Sequence, residues 1–260
     1  MPTLCVPRPG VGVGPITLFR RVLSSLVSWC SSGCGTPPPA SRRAATDHGT
    51  ARGFNYPDEH VGASRRTPPS PSLTKDRKGT KQKQGDSGGF TLSRAVPYAT
   101  DTTFLQVGAG GGDFAVAKRL VTEWKHFQLG WSEVAPSTAI EKNGPVCVCA
   151  NVLGVWIRNP LQVVYVEEST DPRPYSEFKK VKKRFSFAHG CLRGHLLAGE
   201  EAFVVELRLD DSVWFGVHAF SKPAHALAFV GYPAVRLLQW RFARDAMKTM
   251  QREVRKAKKR

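Results

Sequence analysis

FSFAHGCLRGHLLAGEEAFVVELRLDDSVWFGVHAF, residues 185–220, is the stretch on which the fold turns. Phe203, Val205, Leu207 and Leu209 recur at every second position against Glu206 and Arg208, the period of a half-buried strand. Asp210 and Asp211 form a turn, after which Val213, Phe215, Val217 and Ala219 repeat the alternation. Two strands joined this tightly are antiparallel neighbours. Upstream, residues 146–156 are apolar and β-branched and residues 161–168 are similar, so a meander of antiparallel strands is expected through the middle of the chain.

Beyond residue 233 the period changes. From Pro233 in the first turn, Val235, Leu238, Phe242, Ala246, Met250 and Val254 recur at three- and four-residue intervals, predicting one long helix with a single side to bury. Arg241 and Arg244 fall roughly opposite that side and are expected in solvent. Ahead of the strands, residues 104–120 read FLQVGAGGGDFAVAKRL. Glycines between an apolar run and a helix are how a phosphate-binding turn begins. The dinucleotide pattern fails, however, because Asp113 stands where a third glycine should be, and no alternation of strands and helices follows. The better reading is a turn ending at Asp113, the N-cap of a helix carrying Phe114, Ala117, Leu120, Val121 and Trp124 on one face. No cofactor is expected.

The 260 residues, 41% of them hydrophobic, suffice for one domain plus extensions. A net charge of +17 suggests nucleic acid until it is divided along the chain. Residues 1–112 hold +8 and residues 113–260 hold +9, of which Lys179, Lys180, Lys182, Lys183 and Arg184 supply +5 and residues 251–260 another +5. The basicity belongs to a loop, a tail and an extension rather than to one folded face. Residues 1–46 contain arginines among Ser, Pro and Gly but no acid, a transit-peptide composition, with a disordered extension or a misplaced start as the plain alternatives. The apolar run 16–29 is cut by Arg20 and Arg21 and is too short and polar to span a bilayer. Residues 65–89 are rich in Pro, Gly, Lys and Gln and read as a linker.

Four further stretches carry a resemblance: FNYPDEHVGAS at 54–64, WKHFQLGW at 124–131, LQVVYVEES at 161–169 and SKPAHALAFVGYP at 221–233. With the opening stretch, matched at Phe185, Phe187, Gly190, Leu192, Gly194, His195, Gly199, Glu200 and Glu201, the chain closely resembles the plant branch of domain-of-unknown-function family 1990, also called uncharacterised protein family 0548. It departs from that pattern at Ala188 and Cys191. A short helix, a curved antiparallel sheet and a long C-terminal helix laid across it are the elements of an α+β, START-like or Bet v 1-like helix-grip fold. The expected division is a disordered or transit-peptide-like extension over 1–53, a poorly ordered linker with a short family motif over 54–107, and a helix-grip domain over 108–260.

In that superfamily the gap between sheet and helix often holds an apolar ligand, and a filled core is the bland alternative. The candidate ligand-binding residues are His195, Glu200, Glu201, Trp124, Phe187, Tyr165 and Lys222. His189 and His195 stand close to Glu200 and Glu201, an arrangement that suits proton transfer. The structural reading makes His195 the organiser of a tight loop and one glutamate a strand-end anchor. No nucleophile with its own base is visible, so no catalytic residue is assigned. Cys147 and Cys149 read as small buried hydrophobes, and neither metal nor disulfide framework is expected. The leading expectation is non-enzymatic binding of a small hydrophobic ligand. The alternatives are a plastid outer-envelope or pore-forming protein, including a peripheral membrane contact through residues 179–184, and nucleic-acid binding through QREVRKAKKR, ranked last. Localisation is expected in the plastid or its envelope, as the resemblance implies, and otherwise in the cytoplasm.

Overall fold

The computed structural model describes residues 53–65, 97–170 and 181–259. The expectations for the N-terminal extension, the stretch 66–96 and Lys179 and Lys180 lie outside them. Strands β1 (Ala99–Ala109), β2 (Ser132–Glu133), β3 (Pro145–Val152), β4 (Val155–Ser169), β5 (Val181–Cys191), β6 (Leu197–Arg208) and β7 (Ser212–Pro223) form one antiparallel sheet in the order β1-β7-β6-β5-β4-β3-β2. Six of its strands, β2 to β7, follow the chain as a meander, and β1 closes on β7 from the far end. Register irregularities at Gln106/Gly108, Val163/Tyr165 and Val181/Lys183 insert extra residues into β1, β4 and β5. Such bulges bend and twist a strand, and the sheet curls. Helix α1 (Gly110–Thr122) follows β1 directly, and α2 (Ala226–Val230) leads into the long α3 (Tyr232–Ala257). Short helix, curved sheet and gripping C-terminal helix make this a helix-grip fold.

Period-two alternation sends one residue set to each face. The inner face carries Phe185, Phe187, Phe203, Val205, Leu207, Val213, Phe215 and Val217, buried with Phe114, Leu120, Val121 and Trp124 from α1 and its end and with Phe242, Ala246, Met250 and Val254 from α3. Of the six positions that the spacing predicts on α3, Phe242, Ala246, Met250 and Val254 are buried and Val235 and Leu238 half-buried, and Met247 and Thr249 are buried besides. Polar contacts then fix where α3 lies. Arg236 grips Asp101 of β1 through two bonds of 2.6 Å, and Gln239 donates to Ser221 of β7 at 2.9 Å. Trp131 donates to Asp245 at 3.2 Å, and Lys258 pairs with Asp113 at 2.8 Å.

On the outer face a strap, residues 53–65, crosses β4 to β7. Asn55 N donates to Cys191 O at 3.0 Å, Arg193 N to Gly53 O at 3.2 Å, and Phe54 bridges Leu192, so the strap borrows the end of β5. Phe54 and Tyr56 bury against Tyr165, Ala188, Ala198, Ala202 and Phe220.

Several expectations are corrected. Residues 99–107 are not linker but lie in strand β1, and the motif at 54–64 packs on the sheet through Phe54 and Tyr56. The stretch 146–156 is broken by a turn at Leu153 and Gly154, where positive φ angles reverse the chain. Asp113 is not the N-cap: Ala109 holds that place, and Asp113, one turn in, accepts from the Ala109 N–H at 2.7 Å and satisfies a donor from inside the helix. Cys147 and Cys149 are half-exposed rather than buried. Of the basic loop, Lys182 pairs with Asp211 and Arg184 is buried beside Glu206. The tail through residue 257 continues α3, with Val254 in the core. Among the described residues no helix is long and apolar enough to cross a membrane, and no group of His, Cys, Asp and Glu is placed to hold a metal.

Candidate functional site

Between the inner face of the sheet and the N-terminal half of α3 lies a cavity of about 220 Å³. It exists because the inner-face residues change size along the strands. Near α1 the positions are Phe and Val, whereas at this end β3, β6 and β7 offer Ala150, Gly199, Ala219 and Ser221. Val235, Leu238 and Phe242 of α3 form the roof, and Val148, Ile157 and Leu161 a wall. The helix cannot settle onto the floor, since the Arg236 and Gln239 contacts hold it at the edge formed by β1 and β7.

The polar groups gather at the end where β5 turns into β6. His189 Nε2 lies 3.2 Å from Glu201 Oε2, a cross-strand pair set by the β5–β6 register. His195, in the turn, accepts from the Leu197 N–H through Nδ1 at 2.9 Å. Burial, reinforced by His189, pushes the His195 pKa down to about 4, so the ring is neutral near pH 7. An Nδ1 that accepts leaves the proton on Nε2, which is therefore a donor. His189, Glu201 and His195 all line the cavity.

Glu200 points the other way. Its buried carboxylate accepts from Tyr56 Oη at 2.8 Å and Gly62 N at 2.6 Å on Oε1, and from Ser64 Oγ at 2.6 Å and Ser64 N at 3.3 Å on Oε2. Burial and then the Glu200 charge raise the Tyr56 pKa above its ordinary value, keeping that phenol a donor. Glu200 is thus the anchor of the strap, and only Glu201 presents its side chain to the cavity. Of the other candidates, Trp124 and Phe187 stack edge-on at 5.3 Å in the core behind the cavity and are not part of its lining. Tyr165 and Lys222 belong to the outer face: the Tyr165 hydroxyl lies 3.3 Å from Ser64 Oγ, and Lys222 sits over the Tyr98 ring. Neither reaches the cavity. Sequence reasoning missed Asn159, Ala219, Ser221 and Gln239; their roles depend on register and helix placement, for which no local pattern exists.

It also missed His126. This imidazole is fully buried among Trp124, Phe127, Phe187, Phe203 and Phe215, and neither ring nitrogen has a hydrogen-bond partner among the described residues. Burial, with His189 adding, holds its pKa well below 6.5. Leaving a polar group unpaired costs ~1–3 kcal/mol, so His126→Phe is expected to be neutral or stabilising by up to ~2 kcal/mol at pH 7.5. The folded chain refuses the proton that the unfolded chain accepts below about pH 6.5. The advantage of the variant therefore grows on acidification, by up to ~1.4 kcal/mol per pH unit. Urea unfolding at pH 7.5 and pH 5.5 measures both; a variant less stable at pH 5.5 than wild type would contradict this.

The family model described as a domain of unknown function, DUF1990, matches residues 89–249. A UPF0548 protein of Arabidopsis thaliana is 36% identical over 201 residues, covering 77% of this chain and 87% of that protein. A UPF0548 protein of Dictyostelium discoideum is 28% identical over 165 residues, 60% of this chain and 73% of that one. Among solved structures, a START superfamily protein from Mycobacterium smegmatis superposes with a TM-score of 0.39 at 13% identity, over 62% of this chain and 99% of that one.

Proposed function

The chain belongs to the DUF1990 family, a domain of unknown function, and from the cavity of this member we propose that the protein binds a small, largely apolar molecule between its sheet and α3. The observation that supports this reading is the 220 Å³ cavity itself, walled by Val148, Ile157, Leu161, Val235, Leu238 and Phe242 with a few polar groups at one end. Apolar walls with a small number of placed polar groups are the usual composition of a small-molecule site. Ligand pockets commonly run from ~300 Å³ upward, so this one selects for small occupants. A cavity of ~150 Å³ accepts benzene, and by that scale roughly eight to ten non-hydrogen atoms fit here.

The test is to fill the space. Ala219 projects from β7 into the cavity, and Ala219→Phe adds a ring where the ligand would sit. Toluene binding, followed by calorimetry on the full chain, is expected in the wild type and lost in the variant by a factor of about 100 or more, with thermal stability unchanged or raised because a void has been filled. Equal toluene binding by the two proteins would place the ligand elsewhere and sink the reading.

A further inference from the structure

The cavity end at the β5–β6 turn presents two hydrogen-bonding groups with unspent capacity, and they are of opposite kind. Glu201 uses Oε2 on His189 Nε2, while its Oε1 has no partner among the described residues. A carboxylate oxygen only accepts. His195 uses Nδ1 as acceptor for the Leu197 N–H, which leaves Nε2–H as a donor with no partner among the described residues. The His189 ring lies 3.2 Å from Glu201 and lines the same end of the cavity. Its Nδ1 is buried and has no partner among the described residues. Neither Glu201 Oε1 nor His195 Nε2 is sealed from solvent, so water can pair them in the open cavity; an occupant that displaces that water must pair both or leave a donor and an acceptor buried and unmet.

We propose that the cavity takes a neutral hydroxyl compound, whose OH donates to Glu201 and accepts from His195 Nε2–H while its hydrocarbon body fills the space beneath Val235, Leu238 and Phe242. This rests on the reading of the cavity as a ligand site and narrows it to one chemical class. Other head groups fail on a named contact. A carboxylate meets the Glu201 charge head-on. An ammonium pairs with Glu201 but offers His195 nothing to donate to. A plain hydrocarbon leaves both groups unpaired, and sites built to bond a hydroxyl discriminate strongly against analogues that lack it.

The experiment compares benzyl alcohol, toluene, benzoate and benzylamine, four ligands with the same ring, by calorimetry on the full chain at pH 7.5. Benzyl alcohol is expected to bind tighter than toluene by about tenfold or more, and benzoate not measurably. His195→Phe should abolish the advantage of the alcohol over toluene while toluene still binds, and Glu201→Gln should admit benzoate. Circular dichroism confirms that each variant is folded, and if His195→Phe is not, the ligand series on wild type and Glu201→Gln decides alone. Toluene and benzyl alcohol binding equally would overturn the hydroxyl assignment and leave the cavity reading standing, as would benzylamine binding tightest. Binding of none of the four would overturn both.

Discussion

Glu200→Ala is expected to destabilise the protein by about 4 kcal/mol, because it removes the one acceptor that four donors of the strap share. Tyr56 Oη, Gly62 N, Ser64 N and Ser64 Oγ all end on the Glu200 carboxylate in a buried setting, and none of them regains water while the strap stays in place. Breaking a buried charged network from one side costs ~3–5 kcal/mol. Part of the loss should appear as local opening rather than global unfolding. The strap owes its place to these bonds, to the Phe54 and Tyr56 rings, and to three contacts with the β5–β6 end. Urea unfolding combined with limited proteolysis is the measurement: a lower midpoint and new cleavage within residues 54–65 are expected. Glu200→Gln keeps one accepting oxygen but turns an amide donor toward the others, so about half the loss should remain. A Glu200→Ala protein within 1 kcal/mol of wild type, with the strap still protected, would refute the anchor.

Gly199→Ala should be nearly as damaging, for a different reason. Gly199 has φ +144°, a conformation that L side chains rarely adopt, and a Cβ there would collide with the carbonyl of Phe220 in β7. Backbone carbonyl groups in a paired strand cannot swing aside as a side chain can. Strain and overpacking together cost about 3 kcal/mol or more. Gly199 lines the cavity and directly precedes the Glu200 anchor, so ligand binding should fall with stability. Gly190, opposite Glu200 across the β5–β6 pair, is constrained by the same strap from outside, since a Cβ there would meet the Tyr56 hydroxyl. Thermal denaturation of Gly199→Ala beside a surface control such as Gly111→Ala, where a Cβ meets nothing, checks the claim. Equal midpoints for the two would contradict it.

These two positions show what was readable. Alternation fixes which of Phe203, Val205 and Leu207 share a face without knowledge of the partner strand, and the helical spacing from Val235 to Val254 does the same for α3, so fold and core followed from local periodicity. The Gly-rich signature announced a constrained turn, and an anchoring glutamate was expected there. Which glutamate turns outward to the strap and which inward to the cavity depends on the inner or outer phase of β6, and that is decided by the packing of Phe203 and Val205, two and four positions beyond Glu201. Glu200 and Glu201 look alike in sequence and lie on opposite faces. The strap was missed because its binding energy comes from residues more than 130 positions away, which its own composition does not reveal. His126 carries no local signal at all: between Lys125 and Phe127 a histidine reads as surface, and only the wall of aromatic rings around it shows otherwise.

The central claim is that the space under the first half of α3 is made to be occupied. Native mass spectrometry of the full-length chain, purified without detergent and then incubated with benzyl alcohol, tests it most directly, with Ala219→Phe as the paired control. The prediction is one adduct per wild-type chain, of a mass fitting about ten non-hydrogen atoms or fewer, and a bare Ala219→Phe chain. A wild-type chain that emerges bare and stays bare, or an adduct that survives Ala219→Phe undiminished, would contradict the account.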